Sequence, residues 1–271
     1  MNVTLKSFLE GYELKNVSEL EDVNMRFIRI RKNKTDFLVK LTRVDHSIRE
    51  KYLQNFEKLK GLSHRNLLYH KDIASLDPSH FEFNVAEIVE YLNFGTLIEY
   101  LKSNISFSRV IDVFKQSFIG LNFLHERGIL HRDIKLTNFF VHLVEDEPIV
   151  KVGDIEFWEG ANTLSSRTTP EYMAPEVVLY SDYTVKSEIW AIGVMFYELF
   201  LGKYPFGSRL EGVEIDCILE NAREKAVDDI EKIPPPFNDI VELCLQKDVE
   251  KRPGSLLELI GILDSVKFRL N

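Results

Sequence analysis

The segment from His131 to Asn138 constrains the fold and chemistry of this chain more than any other part of the sequence. It reads HRDIKLTN, and three of its polar residues have different chemical capacities. Asp133 can accept a hydroxyl proton, Lys135 can neutralise a phosphoryl group, and Asn138 can hold a metal ion. A solvated polar loop that matches this pattern by chance is the alternative interpretation.

The hydrophobic pattern changes along the chain from one typical of strands to one typical of helices. A helix is predicted over 48–62, and from residue 97 onward apolar residues recur at helical spacing, with one long helix expected to stop at Gly128. Alternating or continuous apolar runs predict strands over 25–30, 37–41, 66–73, 84–89, 139–141 and 150–152. The pattern indicates a strand-rich part followed by a larger helical part.

Three later motifs strengthen what the first segment indicates. They are PEYMAPE at 170–176, EIWAIG at 188–193 and KRP at 251–253. With HRDIKLTN they resemble the eukaryotic-type protein kinases, over nearly the whole chain, and Lys135 with Thr169 resembles the Ser/Thr-specific branch. The resemblance implies a single α+β kinase-like domain over 1–271, with a strand-rich N-lobe and hinge over 1–92 that has one regulatory helix, and a helical C-lobe over 93–271.

The resemblance also implies a site for ATP and Mg²⁺ and a protein as substrate or binding partner. Catalytic roles fall on five residues, of which the last two would hold the metal: Lys40, Asp133, Lys135, Asn138 and Asp154. Contacts with the nucleotide fall on Met25, Leu38, Lys40, Glu90, Leu92, Asn138 and Asp154. In the same family pattern Glu176 should pair with Arg252, and Glu188 replaces a shorter Asp that binds the catalytic-loop backbone.

The glycine-rich nucleotide loop of the family is missing. Its motif should fall on 18–25, which reads SELEDVNM and contains no glycine. Glycines let a backbone approach phosphates closely, whereas carboxylates at Glu19, Glu21 and Asp22 would repel a triphosphate unless they point to solvent. An acidic surface turn that never covers nucleotide is an equally good interpretation.

Other departures surround the same expected site. Leu38 takes the place of a small Ala that faces the adenine ring. Asn55 falls where a helix Glu should pair with Lys40, and an amide cannot neutralise that lysine. The DFG motif is replaced by Asp154-Ile155-Glu156, where Glu156 would either repel phosphate or add a metal ligand.

Composition excludes several other classes of protein. The net charge of −9 at pH 7 argues against a nucleic-acid-binding surface. The longest apolar run, 189–201, is too short for a membrane span and contains Glu198, and the first residues do not resemble a secretory signal. We therefore expect a soluble cytoplasmic protein. Its two cysteines, Cys217 and Cys244, lie in apolar helical segments and are expected to be buried free thiols.

Two hypotheses follow. In the first, the chain is an active Ser/Thr kinase that transfers the γ-phosphoryl group of Mg·ATP to a protein hydroxyl, because all five expected catalytic residues are present. In the second, it is a catalytically weak or inactive pseudokinase that acts as a protein-binding scaffold or switch, because the departures cluster around the nucleotide.

Overall fold

The computed structural model describes residues 3–17, 25–77, 82–155, 169–180 and 182–270. The glycine-free loop expected over 18–24 and the residue Glu156 lie outside this range, as does the side chain of Met25. The chain divides into two compact units, Met1–Asn93 and Phe94–Asn271.

The first unit is built on a five-stranded antiparallel sheet. Its strand order is β1-β2-β3-β5-β4, and each neighbouring pair is antiparallel. The elements are α1 (Leu5–Phe8), β1 (Glu13–Val17), β2 (Met25–Lys32), β3 (Thr35–Thr42), α2 (Arg49–Leu59), β4 (His70–Ser75) and β5 (Val85–Glu90).

The two faces of this sheet are covered differently. One face carries a buried apolar cluster formed by alternate residues of β2, β3 and β5, against which Leu5 and Phe8 of α1 pack. Helix α2 covers the other face, where the ring of Phe56 meets that of His70 on β4 at 5.1 Å. The side chains of β3 and β5 that point away from the apolar cluster therefore point toward α2.

The second unit is mainly helical and contains one small sheet of strand order β6-β7-β8. Its elements are β6 (Gly95–Thr96), α3 (Leu97–Leu101), α4 (Phe107–His125), β7 (Phe139–Val144), β8 (Glu147–Val152), α5 (Pro175–Tyr180), α6 (Val185–Leu201), α7 (Ile215–Glu224), α8 (Phe237–Cys244) and α9 (Leu256–Leu270). The predicted fold class, a strand-rich part followed by a helical part, is confirmed.

Helix α6 forms the centre of the second unit. It is buried on all sides over 187–197, as expected of a helix that is apolar around its whole circumference. Rings from three helices meet beside it, with Phe196 lying 4.6 Å from Phe114 and 4.9 Å from Phe237 between ring centroids. The helix ends at Gly202, whose φ of 66° is the left-handed conformation that glycine adopts without strain.

The structure corrects several predicted boundaries. The strand expected over 66–73 begins only at His70. The residues before it form a turn, in which the Leu67 amide donates to the His64 carbonyl at 3.1 Å. Helix α4 stops at His125, three residues before Gly128. The sequence patterns did not predict α1 or β1, since both are short.

The expectation for the cysteines holds for one of the two. Both thiols are free, and Cys244 is buried, but Cys217 is exposed. Helix α7 is amphipathic, and its buried positions are Ile218, Leu219 and Ala222, so Cys217 falls on the outer face.

Candidate active site

The segment HRDIKLTN forms a loop that is anchored by its apolar residues. Ile134 and Leu136 are buried, while Asp133 and Lys135 between them are partly exposed. A single 3₁₀ turn over Leu136–Asn138 follows, in which the Asn138 amide donates to the Lys135 carbonyl at 3.0 Å. The alternation of apolar and polar residues therefore fixes the backbone and presents the polar groups together.

Three side chains surround the carboxylate of Asp133. Lys135 Nζ lies 2.7 Å from Oδ2, and Asn138 Nδ2 donates to the same oxygen at 2.7 Å and to the Asp133 carbonyl at 2.8 Å. The Thr169 hydroxyl donates to Oδ1 at the longer distance of 3.4 Å. Two strong donors thus hold Oδ2, and Oδ1 is the oxygen better placed to accept a proton from a further hydroxyl.

His131 joins this loop to the segment that carries Asp154. Its Nδ1 accepts the Asp133 amide at 3.3 Å, so its Nε2 carries the proton and donates to the Gly153 carbonyl at 2.8 Å. The Gly153 amide in turn donates to the Asn138 carbonyl at 3.0 Å. The residues before Asp154 are therefore fixed to both ends of the catalytic loop.

Glu188 on α6 binds the backbone of the loop. Its Oε1 accepts the Arg132 amide at 2.6 Å, so this longer carboxylate reaches the loop backbone. Its Oε2 lies 2.6 Å from Nε2 of His125, and Oε1 also accepts the Tyr183 hydroxyl at 3.3 Å. Arg132 has a φ of 67°, which is uncommon for a residue other than glycine. The hydrogen bond from its amide to Glu188 therefore also holds a strained backbone.

The second predicted structural pair is also confirmed. Arg252 donates two hydrogen bonds to Glu176, from Nη1 to Oε1 at 2.8 Å and from Nη2 to Oε2 at 3.0 Å. Burial raises the pKa of Glu176, but the Arg252 guanidinium outweighs burial and holds the pKa below its ordinary value. The carboxylate is therefore ionised inside the second unit.

The predicted metal ligands fit a hard cation. Because Asn138 Nδ2 is bonded to Asp133, its Oδ1 is the atom left to coordinate, and Asp154 supplies carboxylate oxygens. Among the described residues no three His, Cys, Asp or Glu side chains cluster as a metal cage. Two protein oxygens suit Mg²⁺, which keeps several waters and takes further ligands from phosphates.

The remaining predicted nucleotide residues belong to the first unit. Leu38 and Lys40 lie half-buried on β3, and Leu92 is half-buried just after β5. Glu90 ends β5 and is tied to Tyr69 twice, since its amide donates to the Tyr69 carbonyl at 3.0 Å and its Oε1 accepts the Tyr69 amide at 2.7 Å. Their arrangement around a nucleotide, and that of Met25, stays a prediction.

Comparison with known proteins shows the family of the chain. The family model described as "Protein kinase domain" matches residues 26–260. The chain belongs to the protein kinase family. In the residues that the structure describes, this kinase domain has no helix long and apolar enough to cross a membrane.

Several curated kinases are similar to the domain. Serine/threonine-protein kinase atg1 of Dictyostelium discoideum is 30% identical over 200 residues, which are 72% of this chain and 29% of that protein. Serine/threonine-protein kinase pakA of Talaromyces marneffei and serine/threonine-protein kinase ste20 of Aspergillus oryzae are each 30% identical over 193 residues, 69% of this chain and 29% and 22% of those proteins. The chain thus spans less than a third of these relatives.

The sequence patterns missed one buried side-chain contact in each unit, His125 with Glu188 and Glu87 with Tyr52. His125 lies 63 positions before its partner Glu188, and nothing in its local sequence indicated the contact. Glu87 did carry a signal, because it interrupts the otherwise apolar run 85–89. A carboxylate inside such a strand needs a partner.

Proposed function

We propose that this kinase domain transfers the γ-phosphoryl group of Mg·ATP to a Ser or Thr hydroxyl of a protein. The observation that carries the proposal is the set of contacts around Asp133, in which Lys135 and Asn138 hold one carboxylate oxygen and leave the other toward Thr169. The similar Ser/Thr kinases support the choice of hydroxyl.

In this mechanism Asp133 orients the substrate hydroxyl and takes its proton on Oδ1. The hydroxyl oxygen forms a bond to the γ-phosphorus while the bond from that phosphorus to the β,γ-bridging oxygen breaks, and ADP leaves. The Lys135 ammonium stabilises the negative charge on the transferred group, and Lys40 contacts the other phosphates. Most of the rate enhancement would come from this positioning and from the charges, rather than from covalent catalysis.

The metal would be held by Asn138 Oδ1 and the Asp154 carboxylate. When bound, Mg²⁺ neutralises phosphate charge. The left-handed backbone of Asp154, with a φ of 53°, sets the direction in which its carboxylate leaves the chain. Aspartate tolerates this conformation better than most residues, since its short side chain can bond locally.

Thermal unfolding with and without Mg·ATP tests the proposal. Millimolar Mg·ATP should raise the melting temperature, because a ligand that binds only the folded state stabilises it by mass action. Asp154→Ala should abolish the shift. Asp133→Asn should keep it but lower phosphorylation of a Ser/Thr peptide mixture by about 100-fold or more.

Asp264→Asn, on the surface of α9, is the control and should change neither readout. Absence of any shift with the unmodified domain would contradict nucleotide binding and the proposed activity together.

A non-catalytic scaffold is the second candidate function. It is favoured by Asn55, which is 4% exposed at the position where the family resemblance expects a helix carboxylate. The same unfolding experiment separates the two candidates, because a scaffold of this kind would be unaffected by Mg·ATP while retaining the fold.

A further inference from the structure

A buried carboxylate lies in the middle of the sheet of the first unit. Glu87 on β5 is 4% exposed, and its neighbours Ala86 and Ile88 are fully buried. An ionised carboxylate that leaves water costs several kcal/mol unless a cation or several donors face it. The position therefore requires a partner.

The alternation of the strands shows which side of the sheet Glu87 faces. Residues on β3 and β5 that belong to the apolar cluster are Phe37, Val39, Leu41, Ala86 and Ile88. Because successive side chains of a strand point to opposite faces, Lys40 and Glu87 both point to the other face, which α2 covers.

The strand register brings these two residues together. Lys40 on β3 is the direct partner of Glu87 on β5 in the antiparallel ladder. Directly opposed residues have Cβ atoms roughly 4.5–5.5 Å apart on the same face. A lysine and a glutamate at that separation reach each other with extended or bent side chains.

Helix α2 contributes neutral groups to the same place. The Tyr52 hydroxyl donates a hydrogen bond to Glu87 Oε1. Asn55, one turn further along the helix and 4% exposed, offers an amide where a carboxylate was expected. The carboxylate that is missing from the helix is thus matched by one on the neighbouring strand.

We infer that Glu87 is the positioning residue for Lys40, holding its ammonium for the nucleotide phosphates, and that Tyr52 orients the Glu87 carboxylate. This inference rests on the role proposed above for Lys40. The strand register would then fix the ion pair, whereas a carboxylate on a helix depends on where that helix lies.

Exchange of the carboxylate between strand and helix tests the inference. Glu87→Gln keeps a similar shape and an acceptor for Tyr52 but removes the charge, and should lower kcat/KM for ATP by about 100-fold. Adding Asn55→Glu to Glu87→Gln should restore at least a tenth of the original activity. A purely structural role of Glu87 would not be rescued from the helix, and that result would overturn the inference.

The matched control is Glu57→Gln, which removes a carboxylate from the exposed side of the same helix and should leave kcat/KM unchanged. If Glu87→Gln is not folded by circular dichroism, Tyr52→Phe is the second variant. It retains the charge and should raise the KM for ATP severalfold, while an unchanged KM would count against the role of Tyr52 and Glu87.

A double-mutant cycle in urea separates this inference from the proposed function. Lys40→Met and Glu87→Gln should be non-additive in unfolding free energy if the residues pair, whether or not the domain phosphorylates anything. Additive effects in an active domain would overturn the assignment of Glu87 alone. Non-additive effects in a domain that binds no nucleotide would establish the pair but overturn its positioning role along with the proposed function.

Discussion

At the scale of single residues, the pair formed by Arg252 and Glu176 shows how one contact ties distant segments together. The two side chains are 76 positions apart, and both are buried. Ser187 also donates to Glu176 Oε1 at 2.8 Å, and Arg252 Nε donates to the Gln246 carbonyl at 2.8 Å. Each charge is therefore fully supplied with partners, and removing one partner leaves the other uncompensated.

We predict that Arg252→Met lowers the free energy of unfolding by about 3–5 kcal/mol, because it strands the Glu176 carboxylate in the interior. Urea titration followed by fluorescence would measure the loss. The double variant Arg252→Met with Glu176→Leu should recover a large part of it, since no buried charge is left.

Arg223→Met is the surface control, since its contact with Glu224 is exposed and spans 3.6 Å, and it should cost less than about 1 kcal/mol. A double variant that is no more stable than Arg252→Met would show that packing around the arginine, rather than the stranded charge, explains the loss.

Individual contacts show what could and could not be predicted from the sequence. The contacts of Asp133 with Lys135 and Asn138 span at most five positions, so the spacing of the motif determines them. The Arg252–Glu176 pair could be predicted because both ends lie in recognisable motifs. The contact of His125 with Glu188 could not, because it depends on how α4 packs beside α6, and local spacing does not encode that.

At the scale of elements, the packing of α6 on α8 depends on one glycine. A Cβ built at Gly193 would lie 2.8 Å from Cβ of Cys244 and 2.8 Å from Cγ of Leu245. Such distances force the helices apart. The glycine here serves close approach of the two helices, not backbone conformation.

We predict that Gly193→Ala destabilises the domain although alanine is the better helix former. Overpacking costs about 1–3 kcal/mol and exceeds the gain in helix propensity of at most about 1 kcal/mol. Gly261→Ala on α9 is the matched control, because no described heavy atom lies within 4 Å of its added methyl group. It should stabilise by about 0.5–1 kcal/mol.

Differential scanning calorimetry would measure both variants. Equal shifts of the melting temperature in the same direction would contradict the close approach of α6 and α8.

The existence of an element was well predicted where the hydrophobic pattern was long, as in α4, and poorly predicted for α1 and β1. Helix α1 forms where Leu5 joins the apolar cluster and Val3 bridges Leu76, and β1 forms by pairing with β2. These are tertiary effects that local periodicity does not carry.

At the scale of the whole molecule, side chains whose pKa differs between the folded and the unfolded chain determine how stability depends on pH. Burial opposes ionisation of Glu171, as it does for Glu176, but the Arg209 amide and guanidinium prevail and hold the pKa of Glu171 below its ordinary 4.5. Burial and the neighbouring Glu198 raise the pKa of Tyr172 above its ordinary 10.0. Stability is therefore lost below about pH 4.5, where the unfolded chain takes up protons first, and above about pH 10, where it releases them first.

The alkaline side contains an opposing contribution. Burial and the nearby Arg252 lower the pKa of Lys247 from 10.5 to about 8. The unfolded chain therefore binds more protons between these values, and this group adds stability as the pH rises from about 8 to about 10.5. The acid side, where Glu171 and Glu176 act in the same direction, is the clearer test, and the optimum should lie above the isoelectric point of about 5.4.

We predict that the double variant Arg252→Met with Glu176→Leu flattens the acid side of the profile. In the unmodified domain Glu176 is deprotonated when folded and takes up a proton on unfolding below about pH 4.5, so acid weakens the fold. Without that carboxylate, the difference in unfolding free energy between the two proteins should narrow as the pH falls from 6 to 3. Urea titrations followed through the buried Trp190 would measure this difference, and parallel pH profiles would mean that the Glu176–Arg252 pair contributes nothing to acid sensitivity.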